Sequence, residues 1–348
     1  MKNIVTQFEI EFARRIGSEY AIAVNSGTSA LHAALVACEV KYHEVIMPAL
    51  CPAMDAFAII HAGGIPVFAD VDSVTGLITV DTIKAVFKPG VTRAIIAVHL
   101  HGLSCDMDPI MEFAKKEFIY VIEDCAQALL ATYKGKNAGT LGHLGCFSFE
   151  KKKHMTTGSE GGMIISNDAG LTTQARKFAG IGYKHMTAEA GRTSLSASTF
   201  QRPDYERFDV IGLNYRMSEV QAEQGIWKFT NINPIIERHQ IIGMMWQHAL
   251  GSLQSHSYDA DNVFYSAAYD YPGDNWLGFY EKFCEQGGDG FYAMPKIPYQ
   301  EPALRNMRKW PILPTAEGLQ KRLMLFKTHY ITIAHATRQI EILHDMMN

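Results

Sequence analysis

The stretch YAIAVNSGTSALHAALVAC, Tyr20 to Cys38, passes from an apolar run into a helical pattern through Asn25, Ser26, Gly27, Thr28 and Ser29. Leu31, Ala34, Leu35 and Cys38 recur at i, i+3, i+4 and i+7, which is one face of a helix, so a strand leads directly into a helix here. Such a joint leaves backbone N–H groups free beside the positive end of the helix dipole, and small residues let a phosphate approach them closely. An ordinary N-cap has the same composition. The GxxxxGK[ST] and GxGxxG spacings of other phosphate-binding loops are absent.

Working outward, EVIMPA, PVFADV, RAIIAVHLHG, YVIED, CFSF and GMIIS read as further strands, with helical segments after Pro52, Asp81 and Asp108 and a helix stop at Gly63-Gly64. This alternation predicts an α/β fold around a largely parallel sheet. A long helical pattern spans residues 217–250, and NVFYSAAYDYPG reads as a strand after it. A helix and the turn-rich EQGGDGFYAMPKIPYQEPAL follow. The change of texture predicts a large domain over 1–235 and a smaller one over 236–348, without a Pro/Ser linker. No internal repeat occurs.

The chain has 348 residues, 47% hydrophobic and 20% charged, the composition of a globular protein large enough for two lobes. A net charge of -4 argues against nucleic acid as a partner. No apolar run reaches the roughly 20 residues of a membrane span, and charges interrupt the N-terminus where a leader would be apolar, so the cytoplasm is expected. The six cysteines form no CxxC pair. His99 and His101 would share one face of a strand near Cys105, but no fourth ligand accompanies them and no metal is expected.

Two further stretches carry chemistry. YVIEDCAQA places Asp124 at the carboxyl end of a strand, the edge where open α/β sheets bind ligands, with Glu123 on the opposite face. FSFEKKKHMTTGSEGGMI brings Lys151, Lys152 and Lys153 to a turn between two strands. A phosphate cradle, a carboxylate at the sheet edge and a loop lysine together meet the needs of pyridoxal phosphate: donors for the phosphate, an anion for the ring nitrogen and an amine for a Schiff base.

In AVNSGTSALHAAL, VIMPALCPAMDAFAIIHAGGIPVFADVD, HLHGLSCDMDPIMEFAKK, VIEDCAQA, YKGKNAGTLGHLGCFSF, TTGSEGGMI and IGLNYRMSEVQA the chain resembles the DegT/DnrJ/EryC1/StrS aminotransferases, which act on keto sugars. The resemblance is co-linear over nearly the whole chain. It implies the fold of PLP-dependent transferases of fold type I, with a mixed, mostly parallel seven-stranded sheet between helices and a smaller C-terminal α/β domain. It places the Schiff-base lysine five residues after Ser148, at Lys153. By the same pattern Asp124 meets the pyridinium nitrogen and Gln127 the ring hydroxyl. Thr28, Ser29 and Ser148 match the phosphate-binding positions. Asn214 matches an asparagine that reaches the phosphate from a neighbouring subunit, which implies a homodimer with shared sites. Alternatively, Asn214 is the N-cap of the helix that follows it. Lys152 and His154 are candidate substrate contacts.

The implied reaction is transamination from glutamate or glutamine to a keto sugar, nucleotide-linked or free, for sugar biosynthesis. The alternatives are a sugar dehydratase of the same family, which would carry histidine in place of Lys153, and a non-catalytic PLP-binding regulator. Pro52 stands where the family usually has an aromatic residue, Ser159 reads as a one-residue insertion, and the chain begins later than family members do. Asn262 replaces a frequent histidine and points to an unusual acceptor.

Overall fold

A computed structural model describes residues 3–189, 196–250 and 260–347. The apolar runs form one seven-stranded sheet: β1 (Tyr20–Val24), β2 (Glu44–Pro48), β3 (Ile65–Ala69), β4 (Thr92–Val98), β5 (Tyr120–Asp124), β6 (Leu144–Ser148) and β7 (Gly162–Ser166), in the order β1-β7-β6-β5-β4-β2-β3. The pairs β2–β3, β2–β4, β4–β5 and β5–β6 are parallel, and β7 runs against both its neighbours. This is the mixed, mostly parallel sheet expected. Its central strands bury Ile46, Ile95, Ile96, Val121 and Ile122 completely, as strands covered on both faces must.

Helices cover the sheet. Those that bear on the site are α1 (Ile4–Ile16), α2 (Gly27–Ala37), α3 (Ala53–His61), α4 (Met107–Glu117) and α5 (Ala169–Ala179). Nearly every residue of α2 from Ser29 to Ala37 is buried, more than one apolar face requires, because α2 lies between the sheet and helices α3 and α5. Helix α1 was not among the expected elements; its Phe8 and Phe12 pack against Phe149 and Phe147. Its Glu9 accepts from Arg176 of α5 and from the Ala23 N–H, so a buried charge is both paired and hydrogen-bonded.

The expected long helix over 217–250 is two, α6 (Glu219–Thr230) and α7 (Asn233–Leu250). Pro234 has no N–H to continue the ladder and sits in the first turn of α7, where none is needed. The N-cap of α6 is Ser218, in a reciprocal capping box with Gln221, so Asn214 is not that helix's cap. Beyond α7, β8 (Ser266–Asp270), β9 (Tyr292–Ala293) and β10 (Leu323–Lys327) form a second, antiparallel sheet with β10 in the centre. It packs with α7 and α8 (Ile333–Met347) around Trp246, Phe283, Phe291 and Phe326. Met294, Tyr299 and Leu319 pack into the large core instead. Among the described residues, no helix is long and apolar enough to cross a membrane.

Strand β4 ends at Val98, and His101 has a left-handed backbone (φ 59°), so His99 and His101 do not share a strand face. His99 bonds Glu123, whereas His101 bonds Ser266 in the second sheet.

Candidate active site

The parallel strands bring their carboxyl ends to one edge, where α2 and α3 begin. At α2, Ser26 caps the helix by accepting from the Ser29 N–H, and the Ser29 hydroxyl donates to Asn25. Thr28 is exposed. The end of β6 lies so close that a Cβ on Gly27 would stand 2.7 Å from that of Ser148, so only glycine lets the helix start meet Ser148. Thr28, Ser29 and Ser148 thus gather around one helix N-terminus, with the properties of an anion cradle.

At the end of β5, the two consecutive acids point to opposite faces. Glu123 is fully buried and accepts from Gly139, Leu141 and Gly142 N–H at 2.8, 2.8 and 2.5 Å, with His99 Nε2 at 2.8 Å. The Cys105 N–H donates to His99 Nδ1, which leaves the ring proton on Nε2, toward Glu123. His99, Glu123 and Cys125 lie close enough to suggest a metal site, but both ring nitrogens and both carboxylate oxygens are already engaged.

Asp124 is differently placed. One oxygen accepts from the Ala126 N–H at 2.8 Å, and the Lys153 amine and the carboxyl of Asp55 lie nearby. Burial raises its pKa, opposed by that backbone bond and by Lys153.

Lys153 sits in a loop tied together by backbone bonds: its N–H donates to the Glu150 carbonyl, and the Lys151 N–H to the Ser159 carbonyl. Ser159 therefore closes the turn that presents Lys153. The residue as a whole is only partly buried, but its amine end lies inside, 4.8 Å over the Tyr265 ring. Burial pushes the ammonium below the usual lysine value, against the pull of Asp124, Glu150 and Asp55.

A cleft of about 280 Å³ opens beside these groups, its walls including Pro52, His101, Gln127, Lys152, Tyr265 and Tyr292. Gln127 Oε1 accepts from the His101 N–H, and Lys152 Nζ lies 5.7 Å over the Tyr292 ring. His101 Nε2 is buried without a partner, and burial pushes this imidazole down to about 4, so it is neutral near pH 7. The segment after Asn262 docks on this wall: Val263 N–H donates to the Gly102 carbonyl, and Tyr265 N–H to that of His101. Gly102 has φ 96°, and a Cβ there would lie 2.5 Å from Phe264 N.

These residues fit a phosphorylated pyridine aldehyde: a helix start cleared of side chain at Gly27, a carboxylate at a strand end, and a buried amine beside an open cleft. Residues 2–272 match the DegT/DnrJ/EryC1/StrS aminotransferase family. The chain belongs to that family. It is 38% identical over 241 residues to a GDP-perosamine synthase of Caulobacter vibrioides, covering 69% of this chain and 60% of that protein. It is 36% identical over 265 residues to one of Escherichia coli O157:H7, covering 76% and 68%. The matched segment is thus under two thirds of the length of the first of these relatives. An aminotransferase from Psychrobacter cryohalolentis superposes with a TM-score of 0.88 at 30% identity, over 99% of this chain and 91% of the other. The family's cofactor is pyridoxal 5′-phosphate.

Within this DegT-family chain, Lys153 and Asp124 come together, as do Thr28, Ser29 and Ser148, while Gln127 and Lys152 line the cleft. His154 does not join them, and Asn214, expected to serve a neighbouring subunit, lies apart. His154 is buried, with Nε2 3.2 Å from the Val263 carbonyl and its ring 5.0 Å from that of His239, and does not line the cleft. Asn214 is exposed and its backbone bridges Gly180. The sequence reading assigned no role to Asp55, His101 or Tyr265 at the cofactor. Asp55 offered only the sign of a lone acid in the apolar AMDAFAII, which reads as an ordinary first-turn acid of a helix.

Proposed function

We propose that this chain is a PLP-dependent aminotransferase that moves an amino group from glutamate or glutamine to a keto sugar. The observation that carries the reading is the juxtaposition of Lys153, a buried amine of lowered pKa, with Asp124 at the end of β5. Thr28, Ser29 and Ser148 would hold the cofactor's phosphate, Gln127 its ring hydroxyl, Asp124 its ring nitrogen and Lys153 its aldehyde carbon. When bound, the cofactor supplies an electron sink that no side chain provides.

The chain's own groups then handle protons and charge. Burial favours the neutral form of the Lys153 amine, and a neutral amine held beside the cleft can take a proton from a substrate carbon and return it. Asp124 keeps a negative charge opposite the ring nitrogen. Tyr265 covers one side of the amine and limits water there. A lysine at position 153, where the family's dehydratases have histidine, supports transamination over dehydration.

The acceptor class follows the relatives named as GDP-perosamine synthases and the cationic side of the cleft. Lys152 and Lys327 each lie 5.7 Å over the Tyr292 ring, and His329 is on the same wall. Lys152 suits an anionic keto sugar, nucleotide-linked or free, while Lys327 is paired with Asp289 at 3.6 Å. The active species is a homodimer in which Asn214, exposed in one chain and free of a capping role, reaches the partner's phosphate site. The domain division at 235/236 falls in the first turn of α7 and leaves the second sheet wholly in the smaller part.

Borohydride reduction of the cofactor-loaded chain, followed by peptide mapping, is expected to place the label on Lys153. Label on Lys151 or Lys152 refutes the assignment, and a visible absorbance unchanged by glutamate refutes the transaminase reading.

A further inference from the structure

Asp55 lies in the first turn of α3 and is only 1% exposed. Neither carboxyl oxygen has a hydrogen-bond partner. The group it faces is the Asp124 carboxylate, reached because α3 starts at the carboxyl edge of β2 and only β4 separates β2 from β5. The other titratable groups around the two acids are Cys51 before α3, Cys146 of β6 and Lys153 in the loop after β6. His99, from the segment after β4, acts on Asp124 but directs its ring proton to Glu123. Among these, Lys153 is the amine, and its own pKa is lowered by burial.

An unpartnered buried carboxylate is very costly, and two carboxylates in contact cannot both ionise. Burial first, and then the charge of Asp124, raises Asp55 well above the usual carboxylate range, which makes it the member that keeps a proton. Its O–H then has one natural acceptor, the Asp124 carboxylate. That bond opposes the rise that burial imposes on Asp124 and favours its charged form.

We propose that Asp55 and Asp124 share one proton as a buried carboxylic acid–carboxylate pair, with Asp55 a positioning residue that sets how strongly Asp124 attracts the proton of the cofactor's ring nitrogen. A carboxylate that accepts an O–H bond is a weaker base than a bare one, so Asp55 tempers the pull of Asp124 while preserving its charge. The inference rests on the reading of Asp124 as the ring-nitrogen partner, but the proton sharing itself exists without cofactor.

Infrared difference spectra of the full chain, with and without pyridoxal phosphate, test the pair. A protonated-carboxyl C=O band is expected in the wild type, lost in Asp55→Asn and moved in Asp124→Asn. If Asp55→Asn removes no band, Asp55 is not protonated and the proposal fails. It fails equally if the band is lost in Asp55→Asn but unmoved in Asp124→Asn. Asp55→Ser serves as the second variant if the amide does not fold. In the loaded chain, the ¹⁵N resonance of labelled cofactor is expected to shift away from the protonated-ring value in Asp55→Asn, because an amide N–H is a weaker donor than a carboxylic acid and leaves Asp124 the stronger base. An unchanged resonance overturns the positioning role. The cofactor-free arm is independent of whether Lys153 binds the cofactor, so its failure is distinguishable from failure of the transaminase reading.

Discussion

Glu123 and Asp124 are neighbours on β5, yet the regions behind and before the strand end treat them in opposite ways. Behind it, Glu123 holds the loop at 139–142 through three backbone N–H groups and also bonds His99. Before it, Asp124 has one backbone donor, faces a second acid and stands near a buried amine. Completely satisfied polar groups hold a fold together, whereas incompletely satisfied ones in the interior are what a ligand can complete. The difference leaves one of two adjacent acids saturated and the other open to a ligand.

The largest expected effect that tests this contrast is on the reaction. Asp124→Ala should slow the glutamate half-reaction at least ~10²-fold, as expected for loss of one electrostatic stabiliser, with little change in unfolding. Rapid-mixing kinetics measure it, and near-wild-type rates would remove Asp124 from the chemistry. Glu123→Gln should act the other way round. An amide cannot accept all these bonds without turning an N–H toward a donor, so urea unfolding should show a loss of about 1–3 kcal/mol. An unchanged stability would mean that the loop at 139–142 does not depend on this carboxylate. The smallest effect on stability is expected for Asn214→Ala, since the residue is exposed and caps no helix: within about 0.5 kcal/mol. The same variant should retain pyridoxal phosphate less well in equilibrium dialysis. Unaltered retention would end the idea that Asn214 completes a neighbour's site.

The contrast also marks how far local sequence reaches. The opposite facing of Glu123 and Asp124 was readable because strand side chains alternate, whereas the choice of Lys153 among three lysines came from the resemblance to the family. The saturation of Glu123 was not readable, because its donors come from a loop whose course depends on tertiary packing. His99 and His101 looked equivalent by alternation, and a left-handed residue beyond β4 sent them to different partners. His154 read as a candidate substrate contact and is buried against Val263 and His239, which lie far along the chain.

By itself, the sequence determined the strand–helix alternation, the joint at Asn25–Ser29, the acid at the end of β5 and the lysine after β6. Hydrophobic period, turn residues and motif spacing are local, and the chain writes them where they act. Tertiary structure alone decided which side chains meet. Phe8 and Phe12 enter the core only because α1 folds back over β6, and helices α6 and α7 part at a proline whose effect the apolar pattern concealed. Asp55 reaches Asp124 only because the strand order β5-β4-β2 sets the start of α3 near the end of β5. A contact across a sheet depends on strand order, and no residue near Asp55 in the chain carries that information.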